Sequence, residues 1–261
     1  MKRNLHLQTV VLIGSGNVAG HLARAMAAAG LTVTQVFSPH IEHARALASE
    51  FGAWATDCYS QIIKDADLYL IAVPDGKISS VVVKLPPVAG IVCHTSGVTS
   101  MKILEKFDRS GVFYPFQTFT GNSNVDISKV PFCLEASSQE VMDTIRMLAR
   151  KMSKSVHTMG IEQRKRLHLA GVLVNNFTNY LYSVADDFLE ENGIDTSLLL
   201  PLILETAAKV QKLQPDDVQT GPARRGDEST IEKHLNMLND NVELREIYYI
   251  LSQQILKKYH A

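Results

Sequence analysis

Hydrophobic and polar positions follow two different patterns along this chain. Up to Met159, short apolar runs alternate with amphipathic stretches; beyond Gly160 the short runs stop and long segments of helical periodicity take over. The apolar runs predict strands at Val10–Ile13, Val33–Phe37, near Trp54, at Leu68–Val73, Gly90–Cys93, Gly111–Tyr114, Phe132–Glu135 and near Val156–Met159. Helices are predicted between them at Val18–Ala29, Ile41–Phe51 and Gln139–Met152. Strands that alternate with helices fold as an α/β protein with a doubly wound, mainly parallel sheet. In the C-terminal part Glu162–Glu191 has no proline and, inside it, only Gly171; with Ser197–Leu213 and Ile231–Tyr259 it reads as an all-α domain. The predicted division is 1–159 and 160–261, with the long helix starting directly off the sheet.

The first strand runs into Gly14-Ser-Gly16-Asn-Val-Ala19 and then into a helix. This is the phosphate turn of a Rossmann-type dinucleotide-binding domain. Gly14 permits the tight turn, Gly16 lets the backbone approach a pyrophosphate, and small Ala19 lets the helix pack on the strand. Gly14, Ser15, Gly16, Asn17 and Val18 are therefore the predicted pyrophosphate holders, against the plainer reading of a ligand-free glycine turn. The second strand ends in Ser38-Pro-His40 with no carboxylate. An NAD site places an acid about twenty residues beyond the glycines to hold the ribose 2′-hydroxyl. Ser38, with His40 and Arg45 as further donors, favours NADP instead, although His40 and Arg45 also suit a solvated helix.

In such a sheet ligands lie beyond the carboxyl ends of the strands. Val73 and Pro74 are placed to border the ribose and nicotinamide, while Asp75 reads equally as a helix cap. His94-Thr-Ser96-Gly97 puts Ser96 at the expected nicotinamide position and offers His94 as an acid–base group; the competing reading is a turn-starting serine beside a buried histidine. The aromatic run Phe113–Phe119 walls a pocket or belongs to the core. On the first long helix Lys165, His168, Val172, Asn175 and Asn179 fall on one helical face, which reads as a cleft lining or as a solvated surface. On the cleft reading His168 is the acid–base residue and Asn175 orients the substrate. Arg224 and Arg225 stand in a loop ending in Asp227, a predicted N-cap, and Arg225 is placed to clamp an anionic substrate.

Composition narrows the partners. A chain of 261 residues, 46% hydrophobic with a formal net charge of −1, buries a sizeable core and has no electrostatic reason to bind nucleic acid or an anionic membrane. No signal peptide or apolar stretch long enough to span a bilayer is visible, which predicts a cytoplasmic protein. Cys58, Cys93 and Cys133 are too scattered for a disulfide framework, and no metal site is expected.

The phosphate turn, Ala72-Val-Pro74-Asp75, His94-Thr-Ser96-Gly97, Pro115-Phe-Gln117-Thr-Phe119 and Thr220-Gly-Pro-Ala-Arg-Arg-Gly-Asp227 occur together. In this combination the chain resembles a group of two-domain bacterial proteins. They join a Rossmann domain of the deazaflavin-coenzyme-dependent NADP oxidoreductase type to a helical domain of unknown function. More distantly it is similar to pyrroline-5-carboxylate reductase and to the 6-phosphogluconate and 3-hydroxyisobutyrate dehydrogenases. That resemblance implies NADP or NAD in the first domain, substrate at the interdomain cleft, and a homodimer formed through the helices. The hydroxyacid dehydrogenases place a catalytic lysine shortly before an Asn-Asn pair; here Val172 precedes Asn175-Asn176. Their proton transfer is therefore not implied. Together these features predict an NADP-dependent oxidoreductase that moves a hydride to or from a small polar, anionic carbonyl or imine substrate. The alternatives are an inactive NADP sensor or scaffold, and hydride exchange between NADP and a deazaflavin.

Overall fold

The structure is a computed structural model that describes residues 7–121 and 125–260. The chain separates into two compact units, Met1–Asn176 and Phe177–Ala261.

The first unit is built on strands β1 (Thr9–Ile13), β2 (Thr32–Phe37), β3 (Trp54–Thr56), β4 (Leu68–Ile71), β5 (Ile91–His94), β6 (Ser110–Pro115), β7 (Phe132–Ala136) and β8 (Val156–Thr158). They form one sheet in the order β3-β2-β1-β4-β5-β6-β7-β8. All pairs are parallel except β6 with β7. The apolar runs predicted from sequence are these strands, and their period of two feeds both faces. Val10 and Leu12 enter one core with Leu68 and Leu70, while Val11 and Ile13 enter the other with Tyr69 and Ile71.

Helices α1 (Asn17–Ala28), α2 (Ile41–Ser49) and α4 (Gln139–Met152) bury Leu22, Met26, Leu47, Ile145 and Leu148 on the first face. Helix α3 (Asp75–Lys84) buries Ile78, Val81 and Val82 on the second. Helix α4 starts where Ser138 accepts a hydrogen bond from the Val141 N–H at 3.2 Å, a side-chain cap.

Helix α5 (Ile161–Gly171) follows β8 and belongs to the first unit. Its anchor is Arg164, a fully buried guanidinium. Nη1 pairs with the Glu135 carboxylate and donates to the Met159 carbonyl, while Nη2 donates to the Thr99 carbonyl at 2.9 Å. One side chain thus ties α5 to β7, to the end of β8 and to the loop after β5. The single long helix predicted over Glu162–Glu191 is interrupted, because Val172–Phe177 is π-helical before α6 (Thr178–Glu191). A π turn takes in one extra residue and rotates the remainder of the helix by about 100° relative to α-helical register. The premise of uninterrupted α-helical spacing accordingly fails over Val172–Phe177.

The second unit holds α6, α7 (Leu200–Val210), the short α8 (Pro215–Val218) and α9 (Pro222–Arg225), α10 (Glu228–Met237) and α11 (Val242–His260). The helix predicted over Ile231–Tyr259 is two helices, separated at Leu238–Asn241. There Asn241 accepts from the Leu244 N–H at 3.0 Å and starts α11. Asp227 caps α10 as predicted, accepting from the Thr230 N–H at 3.1 Å. Arg224 stacks on Tyr259 at 4.3 Å.

Candidate functional site

Two cavities of the first unit hold most of the residues singled out from sequence. The first, of about 520 Å³, opens at the carboxyl ends of β1, β2 and β4. Gly14, Ser15, Gly16, Ser38, Val73 and Pro74 all line it. The turn is fixed by backbone. Gly14 has φ +121°, donates to the Phe37 carbonyl at 2.8 Å, and lies so close to β4 that an added Cβ would stand 2.2 Å from the Ala72 oxygen. No other residue fits there. Gly16 differs: a Cβ built on it meets nothing within 4 Å. As the N-cap of α1 it carries no side-chain cap, and the helix has no acid in its first turn. The exposed N–H groups of that turn therefore face open space with a favourable dipole.

The far wall of this cavity was not read from sequence. Lys77, Ser80 and Lys84 come from α3, one face of which lines the space together with Ser38 and His40. Tyr59 packs against Phe37 with ring centroids 4.3 Å apart, and the Lys84 ammonium lies 5.8 Å from the Tyr59 ring centre. The lining includes two lysines and no carboxylate. A cavity lined by both a bare helix N-terminus and two ammonium groups fits a strongly anionic dinucleotide. Arg45 does not line it and pairs with Glu42 at 2.8 Å.

The second cavity, of about 340 Å³, is walled by Tyr114, Phe116, Gln117 and Thr118 from β6 and the loop after it, and by His168, Val172 and Asn175 from α5 and the π turn. Tyr114 Oη lies 3.2 Å from His168 Nδ1. The Asn175 amide donates to Thr118 Oγ1 at 2.7 Å. Burial pushes the Tyr114 phenol up to about 12, so it keeps its proton. The loop after β6 connects this cavity to the phosphate turn, since Asn17 Nδ2 donates to the Phe119 carbonyl at 3.2 Å and His21 Nε2 meets the Thr120 carbonyl at 3.2 Å. Lys165, predicted on the same stripe, is exposed and pairs with Glu162.

The remaining predicted residues lie elsewhere. Val18 packs against the core from α1. Ser96 is buried; its hydroxyl donates to Thr99 Oγ1 and accepts from the Val98 and Thr99 N–H groups, so it serves its own turn. His94 is fully buried, and its Nδ1 accepts from the Ser96 N–H at 3.2 Å. Burial, reinforced by the Arg164 charge, pulls His94 down to about 4, which makes it a neutral structural residue and removes it as an acid–base group near neutrality. Asp75 is the first residue of α3, whose N-cap is Pro74. Arg225 is exposed at the end of α9 in the second unit.

A doubly wound sheet with a bare glycine turn at its switch point and lysines in the cavity beside it has the form of a dinucleotide-binding domain. Comparison with known sequences assigns residues 9–92 to a family described as NADP oxidoreductase, coenzyme F420-dependent, and residues 130–255 to a domain of unknown function (DUF2520). A Bacteroides fragilis protein described as a "putative NADP oxidoreductase" is 37% identical, with 96% of this chain and 98% of that one covered at a TM-score of 0.91. The chain belongs to this two-domain family of NADP oxidoreductases. At fold level it is similar to a Streptococcus pyogenes 1-pyrroline-5-carboxylate reductase (14% identity, 95% and 98% covered, TM-score 0.65). It is likewise similar to a Myxococcus stipitatus imine reductase in complex with NADP+ (16% identity, 97% and 95% covered, TM-score 0.62). A search of curated proteins finds no match.

Proposed function

We propose that the first cavity binds NADP and the second its substrate, a small polar carbonyl or imine compound. The observation that carries this reading is the loop after β6. It is bonded to Asn17 beside the phosphate turn and, through Thr118, to Asn175 in the second cavity. In this reading Gly14, Ser15, Gly16 and the N–H groups of Asn17 and Val18 receive the pyrophosphate. Ser38, Lys77 and Lys84 hold the 2′-phosphate end, and Val73, Pro74 and the Ser96 turn border the nicotinamide half. The bound nicotinamide supplies or accepts the hydride. His168 manages the proton at the substrate heteroatom, and Asn175 orients the substrate.

Calorimetric titration of NADPH and NADH into the protein tests this. The expected result is NADPH binding well above NADH, abolished in Gly16→Leu and retained in His168→Ala. Failure of folded protein to bind either nucleotide overturns the reading and leaves the glycine turn structural.

We also propose a homodimer. In the second unit Leu198, Leu200, Leu202, Leu204, Tyr249 and Ile250 are all at least 50% exposed, more apolar surface than a solitary helical unit ordinarily leaves in water. Sedimentation analysis at micromolar concentration checks this, and a monomer overturns it.

A further inference from the structure

Tyr114 and two glycines form a device around His168 that hydride transfer and substrate orientation leave unexplained. Tyr114 stands next to the last residue of β6 and is buried, with its hydroxyl against His168 Nδ1. Gly97, in the turn after β5, is what leaves room for that hydroxyl. A Cβ on Gly97 would stand 2.7 Å from the Tyr114 ring and 2.9 Å from its oxygen. Gly171 does the same on the other side, where a Cβ would stand 2.7 Å from the Phe116 ring. The lone glycine inside the predicted long helix thus lets α5 settle onto the chain leaving β6. Arg164, four residues before His168, fixes the rotation of α5 through its bonds to Glu135, Met159 and Thr99.

The chemistry depends on which atom owns a proton. A phenol buried in this way remains protonated, and its O–H must donate to an acceptor. The acceptor in place is His168 Nδ1. A neutral imidazole that accepts at Nδ1 carries its own proton at Nε2. We propose that Tyr114 is a positioning residue that locks neutral His168 in the Nε2–H tautomer. The second cavity then presents a hydrogen-bond donor and selects ligands with an acceptor, a carbonyl oxygen or imine nitrogen, at that point. This rests on the reading of His168 as the residue that meets the substrate. A neutral imidazole used in this way polarises the acceptor atom through its Nε2–H and places no full charge in the cavity.

The test needs neither substrate nor turnover. Two-bond nitrogen–proton NMR spectra of histidine-labelled full-length protein, assigned with His168→Gln, report the tautomer directly. The expected spectrum shows a protonated Nε2 and a hydrogen-bonded, unprotonated Nδ1. In Tyr114→Phe the Nδ1 signal is expected to lose its hydrogen-bond shift and the ring to become a tautomer mixture, with NADPH affinity unchanged. Gly97→Ala, which displaces the hydroxyl from the opposite side, is expected to give the same spectral change. An Nδ1–H tautomer in the parent protein, or His168 signals unmoved in Tyr114→Phe, overturns the proposal. Loss of NADPH binding in the parent protein strikes the functional reading instead and leaves the tautomer result standing.

Discussion

The two cavities are built from opposite materials. The cavity at the glycine turn is shaped by backbone, with that turn between rigid parallel strands and one bare helix end; its side chains add charge from α3. The His168 cavity is shaped almost entirely by side chains, brought together from β6, its following loop, α5 and a π turn. Backbone-built sites tolerate little change in main-chain geometry, whereas side-chain-built sites tolerate substitution and alter their chemistry. The two cavities thus share one unit with separate sensitivities.

The sharpest break of this contrast is within the phosphate turn. Gly14→Ala forces a side chain onto positive φ and into the Ala72 carbonyl, so a loss of about 4 kcal/mol or failure to fold is expected. Gly16→Ala, in open space, is expected to change stability by about 1 kcal/mol at most. Chemical denaturation of both variants checks the difference, and equal losses would remove the distinction drawn between the glycines.

On the side-chain-built site, Arg164→Met leaves Glu135 unpaired and frees α5; a loss of about 3 kcal/mol is expected in denaturant melts, with the His168 NMR signals displaced. Between the cavities, His94 provides a pH test. Its folded value of about 4 lies below the ordinary value of 6.5, so the unfolded chain binds the extra proton first. Its stabilising contribution is full above pH 6.5 and falls by about 3 kcal/mol as pH drops to 4. His94→Asn, which keeps an acceptor for the Ser96 N–H, is expected to flatten that slope in melts taken across the same range. The smallest effect belongs to the exposed lysines. Lys77→Gln and Lys84→Gln are each expected to weaken NADPH by roughly 1 kcal/mol and leave NADH unchanged, with the difference fading at high salt in calorimetric titrations.

The same contrast explains which features were legible in the sequence. The phosphate turn is local, so Gly14, Gly16 and the flanking strand and helix could be read from a dozen residues. The strands were legible because short continuous apolar runs fit strands buried on both faces of a parallel sheet. Lys77 and Lys84 were missed because nothing in α3 itself marks which face meets the end of β2. Arg164 was missed because its three partners lie far away in sequence or on another element. Helical periodicity brought His168 and Asn175 forward as a pair, but on the premise of uninterrupted α-helix; the π turn that changes their register has no local signal. The Tyr114 contact depends on two glycines in separate segments and becomes visible only when both are folded.

The central place of β1 has a consequence for how the protein is made. Strand β1 pairs with β2 on one edge and with the later-made β4 on the other, and its Thr9 N–H and hydroxyl bond to the Asp67 carboxylate. Until Leu68–Ile71 leaves the ribosome, the emerging chain carries an apolar strand with one edge open. Folding from the N-terminus therefore waits on that later segment, and the interval before it arrives is when this chain is most exposed to aggregation.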